Sequence, residues 1–111
     1  MKVDKTNHHQ ALADGRWLEL NLAEQLGNVG SEYERAWRWK RQGHGEYFEK
    51  AFGRMLELLD LTLADKRWHN HRLKELTRLR EQVCQEFDGA QQPGLSKYFL
   101  YFGVLARSRG Y

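Results

Sequence analysis

Met55-Leu56-Glu57-Leu58-Leu59-Asp60-Leu61-Thr62-Leu63 places six Leu or Met side chains in nine residues. The stripe Phe48, Ala51 or Phe52, Met55, Leu59, Thr62 or Leu63 recurs in steps of three and four, which is the helical period. Leu56, Leu58 and Leu61 add apolar surface on the remaining faces. A helix that is apolar nearly all round is buried on several sides. The spacing therefore predicts a central helix from about Glu46 to Ala64.

Upstream, Leu22, Leu26, Val29, Tyr33, Ala36 or Trp37, and Lys40 make a second stripe. It holds its phase across Gly27 and Gly30, so one helix from about 16 to 42 is expected, with the glycines allowing close helix contact. The alternative is a break at 27–30, where Ser31 and Glu34 have capping-box spacing. Gly43-His44-Gly45 closes this helix, since Gly is the common residue just past a helix end. Downstream, Leu73, Leu76, Leu79 or Arg80, Val83 and Phe87 mark a helix over about 70–88. Asp88 to Gly94 holds the only proline and is the strongest loop signal. The final run, Leu95 and Tyr98 to Ala106, is too apolar for periodicity to classify. A lone strand would lack a partner, so it is read as helix. Short connections imply antiparallel neighbours. The expectation is an all-α fold, an antiparallel helical bundle of about four helices.

The chain has 111 residues, enough for one domain. Residues 14–111 are read as a single bundle, and 1–13, polar and aperiodic, as a mobile lead-in. Four Trp, five Tyr and five Phe exclude a disordered chain. The net charge of +3 is smaller than the segregated excess of dedicated nucleic-acid binders. A lone cysteine, Cys84, excludes an internal disulfide framework. With neither an apolar leader run nor a span of membrane length, the reading is cytoplasmic, with no membrane partner.

Asn28-Val29-Gly30-Ser31-Glu32, Trp39-Lys40, Lys50-Ala51-Phe52 and Glu57-Leu58-Leu59-Asp60-Leu61-Thr62 resemble a small family of uncharacterised prokaryotic all-helical proteins. Arg72-Leu73-Lys74-Glu75, Leu79-Arg80-Glu81 and Tyr98-Phe99 continue the resemblance, which covers roughly residues 28–105. In outline the chain also resembles the HEPN superfamily, small helical bundles that often dimerise. The first resemblance implies a compact helical domain; the second rests on architecture, which by itself does not imply function.

HEPN ribonucleases carry an Arg and a His with four to six residues between them, a cation for the scissile phosphate and an imidazole for proton transfer. Arg38 and His44 have that spacing, which a chain this rich in Arg and His also supplies by chance. They are the weak catalytic candidates, and catalysis is not expected. His69 and His71 point about 200° apart on a helix, and neither they, Cys84, nor His8 and His9 make a three-ligand set. No metal and no cofactor is expected.

Antiparallel packing would gather Lys66, Arg67, His71, Arg72, Lys74, Arg107 and Arg109 at one end, the preferred place for a polyanion. Arg35-Ala36-Trp37-Arg38-Trp39-Lys40-Arg41 interleaves cations with aromatics, but cations also suit a helix C-terminus. In the last segment, Leu100, Tyr101 and Val104 diverge from the face that carries Tyr98 and Phe102, so they are the expected dimer interface. The leading reading is a helical interaction module, homodimeric and non-enzymatic. The alternative is a HEPN-like nucleic-acid- or nucleotide-binding protein, and after it a ribonuclease.

Overall fold

A computed structural model describes residues 15–108 of the chain. The lead-in expected over residues 1–13 and Arg109 fall outside the described residues. Those described are helical, with no strand among them. Four long helices follow one another: α1 (Leu22–Arg41), α2 (Gly45–Ala64), α3 (His71–Phe87) and α4 (Pro93–Ser108). A helical turn at Trp17–Glu19 precedes α1, and a 3-10 turn at Lys66–Trp68 joins α2 to α3.

The helix ends follow from local chemistry. The Asn21 side chain accepts the Glu24 backbone N–H at 2.8 Å, and the Glu24 carboxylate accepts the Asn21 N–H at 2.8 Å. This capping box satisfies two orphan donors and starts α1 at Leu22, later than the stripe implied. The helix then runs unbroken through Gly27 and Gly30; Ser31, on its interior, bonds back to the Gly27 carbonyl at 3.3 Å. Gly43 ends the segment with φ +76, a left-handed conformation that favours glycine. Asn70 caps α3 by accepting the Arg72 N–H at 2.8 Å. Pro93 opens α4 at the position where a missing N–H costs nothing.

The core draws on all four helices. Leu26, Val29, Tyr33, Ala36 and Trp37 of α1 meet Ala51, Met55, Leu58 and Leu59 of α2. Leu76, Leu79, Val83 and Phe87 come from α3, and Phe99 from α4. The sequence put α2 at the centre; α1 is the helix with extensive contacts to both α2 and α4. Its glycines explain part of this. A Cβ added at Gly27 would stand 3.3 Å from the Gly103 Cα, and one at Gly30 only 2.6 Å from the Phe99 Cβ. Aromatic rings close the other end, with Phe87 stacked on Trp37 at 4.4 Å and against Phe52 at 5.1 Å.

Candidate functional site

The close α1–α4 crossing leaves a cleft of 520 Å³ on its outer side. From α1 it is lined by Gly27, Gly30, Ser31, Glu34, Arg35 and Arg38; α4 contributes Ser96, Lys97, Phe99, Leu100, Gly103 and Arg107. Helical spacing explains the α1 side: 27, 31, 34 and 38 share one face. Arg107 folds back along α4, its guanidinium 3.9 Å from where a Gly103 Cβ would stand. Arg35 is bonded to Glu32 at 2.9 Å. Arg38, Lys97 and Arg107 have no ion-pair partner among the described residues. All three are exposed. Glu34 is the one carboxylate in the lining, and Gln91 Nε2 donates to it at 3.5 Å.

Next to this cleft, α4 presents Leu100, Tyr101 and Val104 to solvent at 61%, 62% and 46% exposure. Phe99 on the opposite side is 3% exposed. The divergence expected of these residues is therefore their geometry in this chain.

Arg38 and His44 have different surroundings. Arg38 lines the cleft, whereas His44 packs edge-on against Trp39, 5.4 Å between centroids, and near Tyr47 at 6.0 Å. No hydrogen bond joins the pair. Among the described residues no group of three or more His, Cys, Asp or Glu is placed to hold a metal. No described helix is long and apolar enough to cross a membrane.

The basic residues read from the sequence divide by role. Arg67 is tied down: its guanidinium donates to Asp65 Oδ2 at 2.7 Å and to the Leu20 carbonyl at 2.6 Å, and lies 4.7 Å over the Trp68 ring. Asp65, 3% exposed, also accepts the Arg67 backbone N–H at 3.0 Å and Gln25 Nε2 at 3.0 Å. Gln25 is fully buried; it donates to the Trp17 carbonyl at 2.9 Å and accepts Trp68 Nε1 at 2.9 Å. This network joins the chain before α1 to the α2–α3 connection. Lys66, His71 and Lys74 are exposed, and Arg72 is half-buried. Arg107 lines the cleft and also a smaller hollow with Leu20, whose carbonyl accepts from Arg67.

Sequence reading missed a second buried group. Glu86, 9% exposed, accepts the Tyr33 hydroxyl and, at 3.1 Å, Trp37 Nε1, while its other oxygen takes the Gln92 backbone N–H at 2.9 Å. Burial and the bond to Glu86 hold the Tyr33 phenol well above its ordinary pKa. Tyr98 is raised likewise, by burial and by the Glu75 carboxylate that accepts its hydroxyl at 3.1 Å. The three hydrogen bonds that Glu86 accepts tie α1, α3 and the α3–α4 loop together, a structural arrangement. The available signal was Glu86 on the same helical face as Val83 and Phe87.

Comparison with family models, with curated proteins and with solved structures gives no match.

Proposed function

We propose that this chain is a helical interaction module, an antiparallel four-helix bundle that pairs with a second copy of itself through the outer face of α4. The bundle reading is supported by register: Gly27 meets Gly103 while Gly30 meets Phe99, and Phe48 meets Phe87 while Asp60 meets Arg80. In each pair of helices the numbers run in opposite directions.

The observation that carries the pairing is the exposure of Leu100, Tyr101 and Val104 on a helix whose other face already fills the core. A contiguous apolar patch on a small domain usually marks a contact. Tyr suits such a surface, since its ring buries area while its hydroxyl stays hydrated. A twofold axis near Tyr101 would lay the same patch on itself, the commonest closed arrangement.

Light scattering at micromolar concentration is the test. Wild type is expected at the dimer mass, and Tyr101→Glu, which places a charge in the patch, at the monomer mass. A wild-type chain that stays monomeric at hundreds of micromolar would remove the proposal.

A further inference from the structure

We infer that the α1–α4 cleft is a binding site for a phosphate-bearing ligand, held by Arg38, Lys97 and Arg107. This goes beyond the pairing proposed above; the two readings share Leu100, while the three cations belong to the cleft. Three observations carry it. These cations come from two helices, line one cleft, and lack a carboxylate partner among the described residues. Cations in a structural role resemble Arg67 instead, which is bonded to Asp65 and to a carbonyl. Second, Ser96 brings a hydroxyl group to the same lining, and Phe99 and Leu100 give it an apolar wall. Phosphoryl oxygens take the charged and hydroxyl donors, and an aromatic or sugar portion can lie on the apolar side. Third, the missing side chains of Gly27 and Gly30 let α4 lie close against α1, which brings Lys97 and Arg107 into the same lining as Arg38.

Glu34 opposes an anion, but it is outnumbered three to one and already accepts from Gln91. The cations are also spread along the cleft. Lys97 and Gly103, over which Arg107 folds, lie six residues apart on α4, a rise of about 9 Å. That layout suits several phosphates in series better than a single inorganic ion.

Nucleic-acid strands and free nucleotides share this chemistry, and titration separates them. A fluorescent single-stranded oligonucleotide and a nucleoside triphosphate would each be titrated against the full chain. If a strand is the ligand, neutralising three phosphates gives a slope of log K against log salt of about −2, roughly a fifteenfold loss from about 50 to about 200 mM salt. Arg38→Ala/Lys97→Ala/Arg107→Ala should abolish that slope, while Lys66→Ala/Arg72→Ala/Lys74→Ala should keep most of it. If the nucleotide is the ligand, it binds in the wild type, displaces the strand, and is lost in the cleft variant alone. Circular dichroism of both variants checks that the helices are intact. The inference is overturned if neither probe binds at low salt, or if the variant outside the cleft loses as much as the cleft variant.

Discussion

Asp65 shows how one side chain can hold a connection in place. It is 3% exposed, and burial alone would raise its pKa. Hydrogen bonds from the Arg67 side chain, from Gln25 and from the Arg67 backbone N–H, with the guanidinium charge, outweigh that effect, and the carboxyl is held below its ordinary value. The folded value is then lower than the unfolded value of about 3.9. The stabilisation is present above about pH 4 and is lost as pH falls through the folded value, because there the unfolded chain binds more protons. Asp65→Asn keeps the shape but points an N–H at donors. It should cost about 1–3 kcal/mol at neutral pH, typical of a buried polar group left unsatisfied. The variant should also lose less stability than wild type between about pH 5 and about pH 3. Urea titrations across that range make the check, and equal acid sensitivity in both proteins would assign the transition to other carboxylates.

At the scale of the element, α1 and α4 are held together by what their contact lacks. Replacing a helix-interior Gly with Ala ordinarily gains up to about 1 kcal/mol. At Gly30 the new methyl would lie 2.6 Å from the Phe99 Cβ, which is fixed to the backbone and cannot swing aside. Overpacking of this kind costs about 1–3 kcal/mol, so Gly30→Ala should lower the melting temperature. Gly53→Ala on α2 meets nothing within 4 Å and should raise it. Similar shifts in both variants would argue against the close crossing. The helices themselves were legible because Leu26, Val29, Tyr33 and Trp37 keep a helical period whatever packs on them. The start of α1 was less so: Ser31 and Glu34 have the same spacing as Asn21 and Glu24, and only the fold decides which pair sits at a helix end. The lining of the cleft was not legible. Arg38 and Lys97 are 59 positions apart in sequence, and nothing local fixes the register that brings α4 across α1. Arg107 was assigned by element order to the end with Lys66 and Arg72; the return of its side chain over Gly103 depends on that same crossing. Gly27, Gly30 and Gly103 were the available signal, as small residues on two facing helices.

For the whole molecule, surface charge and apolar surface make opposite demands on salt. The chain carries +3, and Lys97 and Arg107 lie on the same helix as the exposed Leu100, Tyr101 and Val104. Two copies meeting through that face bring like charges together, and salt screens the repulsion, with a Debye length of about 10 Å at 0.1 M. Self-association should therefore strengthen with salt, whereas a phosphate-bearing ligand in the cleft should bind more weakly. Opposite salt responses in one protein would separate the two surfaces without a mutation. Stability follows from the pairing. If unfolding also dissociates the dimer, a hundredfold rise in protein concentration adds about 2.7 kcal/mol per pair, shared between two chains. For a domain of this size that raises the melting temperature by several degrees. Tyr101→Glu should give a melting temperature independent of concentration, because its unfolding releases no partner. A wild-type melting temperature equally flat across that range would place Leu100, Tyr101 and Val104 outside any interface between copies, leaving the cleft to be judged by its own titration.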